Sequence, residues 1–251
     1  MYYFYGKIVF MKKKNYKIGV FDSGIGGITT LKEIRKLMPN ESFIYYLDNK
    51  NIPYGNKSEE ELDLITENII EFFHKKKVKA IVIACNTATT RCVHYLRDKY
   101  KDDIIVGTEP AIKVACDKGY KNTLLLVTPL TAKSDRLFEL INDNARSDQN
   151  ITAIPCFGLA DTIESKNKNK IKLAVYNLLY EYKMYDYDSI VLGCTHYIYI
   201  KKLLKELFPN AKQIDGNKGV SRELKRKLTE NDLLTDRKTK GTVEYFNSKD
   251  L

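Results

Sequence analysis

The sequence predicts an α/β fold: two pseudo-symmetric domains, each a mainly parallel sheet flanked by helices, with an active site between them. Three observations predict it. Apolar runs of strand length alternate with segments of helical period along the chain. Those runs are continuously apolar, as expected of parallel strands covered on both faces. The plan of the first half also returns in the second. In each half one strand ends in a polar signature, "FDSG" or "VTPLT", and a later strand ends at a cysteine, "ACNT" or "GCTH".

The elements follow in order. "YKIGVF" (16–21) is a strand, glycine-rich "DSGIGG" a turn, and "ITTLKEIRKLM" a helix. "SFIYYL" is a second strand. Ser58 and Glu61 have the spacing of a capping box, opening a helix whose apolar stripe is Leu62, Ile65, Ile69, Phe72 and Phe73. "KAIVIA" is a strand, "TATTRCVHYLRDKY" a helix, "DIIVG" a strand and "PAIKVACDK" a short helix. The second half repeats this rhythm: strand "TLLLVT", a helix from about Ala132, short strand "ITAIPC", helix "IKLAVYNLLYEYKM", strand "SIVLG" and helix "IYIKKLLKELF". "AKQID" is a last parallel strand with a helix after it, and "GTVEYF" a small extra strand. The first domain is expected to comprise residues 17–108 with 214–251, and the second 109–213. Residues 1–16 read as an N-terminal extension, within which Met11 begins a plausible alternative start.

Composition narrows the classes. The chain has 251 residues, enough for two domains with a substantial core. No apolar run approaches the roughly 20 residues needed to span a bilayer, and the aromatic opening "MYYFYGKIVF" lacks the layout of a signal peptide. A net charge of +10 raises nucleic-acid binding as a second reading. The basic runs are dispersed over helix ends and loops, however, which argues against it as the main function. Five cysteines, an odd number in a long chain, fit reduced thiols in the cytoplasm better than a disulfide framework.

The cysteines differ in setting. Cys92 and Cys116 lie within helical patterns and read as packing residues, and Cys156 follows Pro155 without polar neighbours. Cys85 and Cys194 each end an apolar strand just before a helix, whose N-terminal dipole favours a thiolate. No metal is expected, because the cysteines and three histidines lack paired zinc-site spacing. A Cys194–His196 hydrolase pair conflicts with the rule that i and i+2 residues do not face each other on a helix, and leaves Cys85 unexplained. "DSGIGG" lacks the third glycine of a dinucleotide fingerprint, but its backbone can present N–H groups to a carboxylate, and Asp22 ends its strand on the side of Cys85.

In open parallel sheets ligands bind at the carboxyl ends of strands, so both thiols belong to the binding side. Two facing thiols suit inversion of a stereocentre through a carbanion: a base on one face of the carbon and an acid on the other. A thiol pKa of about 8.5 keeps both forms accessible near neutrality. No nucleotide loop and no convincing pyridoxal-phosphate lysine is visible, so no cofactor is expected. Asn86, Thr87, Thr128, Thr131 and Thr195 are the amide and hydroxyl residues at the right strand ends to steady a substrate carboxylate.

These motifs together resemble the glutamate racemases of the cofactor-independent Asp/Glu racemase superfamily. From about Lys17 to the end, "IGVFDSGIGG", "NIPYG", "ACNTAT", "EPA", "VTPLTAKS" and "GCTHY" stand in family order. His196 in "GCTH" points to glutamate, since aspartate racemases usually carry an acidic residue there. The resemblance implies L/D-glutamate interconversion for peptidoglycan synthesis, with glutamate as the small-molecule substrate and a homodimer as the usual assembly. It implies Cys85 and Cys194 as the two bases, the first acting on D-glutamate and the second on L-glutamate, assisted by Asp22 and His196. Ser23, Pro53, Tyr54, Gly55, Asn86, Thr87, Thr128, Thr131 and Thr195 would line the substrate pocket, and Glu164 falls near an assisting family acid. The chain departs from the family pattern at "IDGNKGV" and in the "FGLADTIES" loop after Cys156, two segments expected to alter the pocket wall.

Overall fold

The computed structural model describes residues 13–251, so most of the expected N-terminal extension lies outside the described residues. Four strands of the first half and one from the C-terminal end form a five-stranded sheet. They are β1 (Ile18–Asp22), β2 (Phe43–Leu47), β3 (Ala80–Ile83), β4 (Ile105–Gly107) and β9 (Val243–Asn247), ordered β4-β3-β1-β2-β9. The second sheet holds β5 (Asn122–Val127), β6 (Asn150–Pro155), β7 (Ser189–Gly193) and β8 (Lys212–Ile214), ordered β6-β5-β7-β8. Every pairing in both sheets is parallel.

Read from the opposite edge, the second sheet has the order β8-β7-β5-β6. It therefore matches β4-β3-β1-β2 strand for strand. Asp22 and Cys85 follow the equivalents of the strands that lead to Thr128 and Cys194. In each sheet the chain leaves the first strand to one side and returns on the other, so a switch point lies between β1 and β3 and between β5 and β7. The crevice at such a point, beyond the carboxyl ends of the strands, is where open parallel sheets bind ligands.

The strands are apolar on both faces because both faces are covered. On one face of the first sheet Val20, Tyr45 and Val82 pack with Leu31 and Ile34 of α1 (Ile28–Leu37) and Leu224 and Leu228 of α10 (Asn217–Glu230). On the other face Phe21, Ile44 and Ile83 meet Leu62, Ile69 and Phe73 of α2 (Glu59–Lys75) and Cys92 and Leu96 of α3 (Asn86–Lys99). The Ser58–Glu61 capping box is formed, and three glutamates in the first turn of α2 complement the helix dipole. The second sheet packs against α4 (Ile112–Asp117) and α6 (Asp135–Asn144) on one face. Its other face meets α7 (Leu159–Glu164), α8 (Lys168–Leu179) and α9 (Lys201–Leu207). The four-residue α5 (Pro129–Ala132) lies between β5 and α6, capped by the Thr128 hydroxyl.

"GTVEYF" forms the expected extra strand: β9 pairs with β2 along five residues and carries the C-terminal end back to the first sheet. One element differs from expectation. The helix expected from Ile198 is preceded by a 3-10 turn over Thr195–Ile200, which begins directly behind Cys194. No described helix is long and apolar enough to cross a membrane.

A buried ion pair pins the C-terminal return. Lys79 Nζ lies 2.6 Å from Glu41 Oε2, with the lysine side chain fully enclosed. The ammonium also donates to the carbonyls of Lys14 and Leu233, and Glu41 accepts from Thr235 N. Burial lowers the Lys79 pKa, and the bond to Glu41 opposes that shift. Removing one partner of such a pair strands a buried charge. Glu41→Ala is therefore expected to lower unfolding free energy by about 3–5 kcal/mol in urea titrations.

Candidate active site

Four strand ends build the site. β1 delivers Asp22 and Ser23, and β3 runs through Ala84 into Cys85, the N-cap of α3. β5 delivers Thr128 and β7 delivers Cys194. The two thiols line one narrow cavity of about 30 Å³ between the sheets. That space holds only a few waters.

The thiols have unlike surroundings. Cys85 Sγ lies 3.8 Å from the Ser23 hydroxyl and receives the Ala88 backbone N–H. Burial pushes the Cys85 thiol well up, and the nearby Asp22 charge adds to this; the Ala88 and Ser23 contacts only partly offset it. Cys85 therefore rests as a protonated thiol. Cys194 Sγ instead lies 3.6 Å from His196 Nδ1, and His196 Nε2 lies 2.6 Å from Glu164 Oε1. Burial alone would discharge the imidazole, but its bonds to Cys194 and Glu164 dominate and raise its pKa well above the ordinary value. Glu164 is correspondingly lowered: burial opposes its charge, and the His196 and Ile25 N–H bonds outweigh that.

The Cys194–His196 contact corrects the helical-spacing expectation. Cys194 has extended backbone, φ −148° and ψ 139°, so it precedes the turn rather than belonging to it, and an i, i+2 pair can meet there.

The glycines of "DSGIGG" are explained by close approach. A Cβ on Gly24 would lie 1.9 Å from Glu164 Oε1 and 2.7 Å from His196 Nε2, and one on Gly26 2.4 Å from Thr195 Oγ1. The backbone N–H groups do meet carboxylates, but the protein's own. Gly27 N donates to Asp22 Oδ2 at 2.8 Å, and Ile25 N to Glu164 Oε1 at 2.7 Å.

The cavity wall contains Ser23, Pro53, Tyr54, Gly55, Thr87, Thr128, Glu164 and His196 with the two thiols. Four expected pocket residues stand behind it. Asp22 is fully enclosed, accepting from Gly24 and Gly27 N–H and from the Thr195 hydroxyl. Burial raises its pKa, which His196 and those donors only partly counter. Thr195 is thereby spent on Asp22. Asn86 is buried in the first turn of α3, and Thr131 accepts from Thr128 at 3.0 Å. Thr87 and Thr128 meet across the cleft with hydroxyls 2.9 Å apart.

Asp161 and Cys156 line the cavity and were not among the expected site residues. Burial raises the Asp161 pKa, and pushes the Cys156 thiol up to about 12. The signal for Asp161 was its position three residues before Glu164, which places both acids on one helix face. The atypical loop after Cys156 does form wall, through Gly158, Ala160 and Asp161. The other departure does not. Asp215 pairs with Lys201, while Asn217 bonds Thr29 and Thr30 and so ties α10 to α1. No group of three or more His, Cys, Asp or Glu side chains that could hold a metal occurs among the described residues.

One thiol from each of two like sheets, meeting at one cleft with the His196 imidazole beside one of them, defines a class: α/β enzymes with paired cysteines at matching switch points of two parallel sheets. The chain belongs to the Asp/Glu/Hydantoin racemase family, which it matches over residues 28–220. It is 44% identical over 240 residues to a glutamate racemase of Clostridium botulinum strain Hall, covering 93% of this chain and 91% of that protein. It is 40% identical over 238 residues to one from Clostridium perfringens strain SM101, covering 94% and 92%. The crystal structure of the Francisella tularensis glutamate racemase in complex with D-glutamate superposes with a TM-score of 0.81 at 28% identity, covering 94% of this chain and 89% of that one.

The Glu164–His196 pair has a defined pH signature. The folded pKa of His196 is raised, so its stabilisation is complete below an unfolded pKa of about 6.5 and is lost as pH rises through the folded value. Glu164 is lowered, so its share persists until the pH falls below the carboxylate range. Glu164→Gln is expected to cost about 2 kcal/mol at pH 6.5. That difference from wild type should shrink as urea titrations move to alkaline pH.

Proposed function

We propose that this protein interconverts L- and D-glutamate without a cofactor, by proton transfer between Cα and the two thiols. The observation that carries the reading is the placement of Cys85 and Cys194 after equivalent strands of two like sheets, on one cavity. The substrate is suggested by the relatives, which are named glutamate racemases, and by the D-glutamate complex of the Francisella tularensis protein.

In the L-to-D direction a Cys194 thiolate takes the Cα proton, and the bonding pair remains on the substrate as a carbanion delocalised into its carboxylate. The Cys85 thiol then gives its proton to the opposite face. Atoms and charge balance: Cys194 ends as thiol and Cys85 as thiolate. The reverse reaction begins from that state. The electrostatics suit these roles, because burial and Asp22 favour a protonated Cys85, while Cys194 lies against the His196 cation. His196, held by Glu164, offsets charge on the Cys194 sulfur. Ser23 and the main-chain N–H groups of Tyr54 and Gly55 are placed to donate to the substrate carboxylates as negative charge grows, and Thr87 and Thr128 join them once their hydroxyls turn from each other and from Thr131. Tyr54 contributes its ring and main chain only, since its hydroxyl donates to Asp48 at 2.6 Å. The narrow cleft leaves little room for water beside a bound substrate, which strengthens those interactions. The enzyme works as a homodimer in the cytoplasm, and its D-glutamate supplies peptidoglycan synthesis.

In deuterated water, L-glutamate is expected to gain deuterium at Cα while its optical rotation decays to zero. Loss of neither signal with enzyme present rules the activity out. Parallel trials with aspartate test the substrate.

Cys85→Ser and Cys194→Ser should each lower racemisation by at least about a thousandfold, since each replaces a thiol that must give or take the Cα proton with a far weaker hydroxyl acid. Near-normal turnover in either variant would refute the two-thiol scheme.

A further inference from the structure

The residues that carry chemistry in the scheme above do not include Asp48, yet Asp48 is 1% exposed and stands one residue beyond β2, beside the site. Its backbone N–H donates to the carbonyl of Asp22 at 3.0 Å, so it is tied to the strand that delivers that carboxylate. Its Oδ2 accepts from the Tyr54 hydroxyl at 2.6 Å. Both of its oxygens lie 3.0 Å from Asn51 Nδ2, and its own carbonyl accepts from Asn51 N at 3.2 Å. No cation pairs with Asp48 among the described residues. An enclosed carboxylate without a cation is costly to folding unless its lone pairs are filled, and here a phenol and an amide fill them.

Both donors belong to one short loop, and that loop walls the cavity through Pro53, Tyr54 and Gly55. Tyr54 is 1% exposed and its hydroxyl is engaged by Asp48. The loop reaches the opposite half, where a Cβ on Gly55 would lie 3.4 Å from Thr128 Cβ. Its preceding turn is held by Lys50 N–H donating to Ser248 at 2.9 Å, beyond β9.

We propose that Asp48 is a positioning residue for the racemase reaction: through the Tyr54 hydroxyl it fixes the 53–55 backbone against the cavity and so sets how tightly the substrate carboxylate is gripped. The inference rests on the reading of the site as a glutamate racemase. It follows from the geometry that the charge matters as well as the shape. A carboxylate accepts from Tyr54 and Asn51 together. An asparagine that keeps its oxygen on Tyr54 turns an NH2 toward the Asn51 NH2, donor against donor.

The test is a double-mutant cycle on Asp48→Asn and Tyr54→Phe, with KM and kcat for both glutamate enantiomers. Amide hydrogen exchange over residues 52–56 is measured without substrate. Each single variant should raise KM about tenfold, the fold-change of a lost charge-assisted hydrogen bond. Each should move kcat by less than about threefold, leave the pH profile in place and speed exchange in the loop. The double variant should be no worse than the poorer single, because both changes act on the one Tyr54–Asp48 contact that places the loop. Losses that multiply, or a fall in kcat with KM intact and a shifted pH profile, would overturn the proposal. Should Asp48→Asn fail to fold, Tyr54→Phe decides it from the other side: wild-type KM and wild-type exchange there refute it. A wild-type enzyme that does not racemise glutamate would sink the functional reading, while the exchange data would still report whether Asp48 holds the loop.

Discussion

The hydrogen bond from Ile25 N–H to the Glu164 carboxylate is the contact on which the site depends. It joins the turn after β1 to α7 of the other half at 2.7 Å, and the same carboxylate oxygen holds His196 at 2.6 Å. Two sheets with equivalent switch points make a catalytic cleft only if their carboxyl ends are brought together at a fixed spacing. Here the turn achieves this by having no side chains in the way. At Gly24, Gly26 and Gly27 a methyl group would collide with Glu164, Thr195 and Asp22 respectively. The motif resembles a phosphate-binding loop in composition, but its N–H groups are occupied by internal carboxylates. Approach of one half to the other, not ligand binding by the loop itself, accounts for its glycines.

The near-symmetry of the sheets makes the asymmetry of the chemistry more informative. Strand for strand, Cys85 and Cys194 are equivalent, yet the residues two positions on are Thr87 and His196. The strand equivalent to the one ending in Asp22 leads to Thr128. The first thiol therefore faces a carboxylate and the second a cation. The two thiols thus sit in unlike electrostatic surroundings, as the proposed exchange between one base and one acid requires. In this fold the backbone supplies two matching positions, and single side chains beside them make their surroundings differ.

Much of this was legible in the sequence because it is local. Continuous apolar runs between helical segments give parallel strands, and a cysteine directly after such a run falls at a binding crevice by topology alone. The missing parts are long-range. Glu164 reaches Ile25 across 139 residues, and β9 finds β2 from the far end of the chain. Nothing in the local pattern of "DTIES" or "GTVEYF" encodes those partners. Side-chain direction was equally hidden: Tyr54 stands in a pocket motif, yet its hydroxyl points to Asp48. The i, i+2 argument against a Cys194–His196 contact assumed helix, and failed because an N-cap residue is extended.

The charge of the protein and the charge of its cavity run opposite ways, and the difference bears on catalysis. The chain carries +10 overall, a field that attracts a dicarboxylate from solution. Among the described residues no lysine or arginine lines the cavity, and the His196 imidazole there is already paired with Glu164. A lysine against the substrate carboxylate would bind ground state and transition state alike, lowering KM without hastening proton removal. In the proposed scheme, hydroxyls and main-chain N–H groups would hold the carboxylate more loosely at first and strengthen their bonds as the carbanion's charge moves onto its oxygens. Their value depends on being held still in a water-poor space, and so on buried residues that never touch the substrate. That requirement explains why a carboxylate as costly as Asp48 is kept beneath the loop.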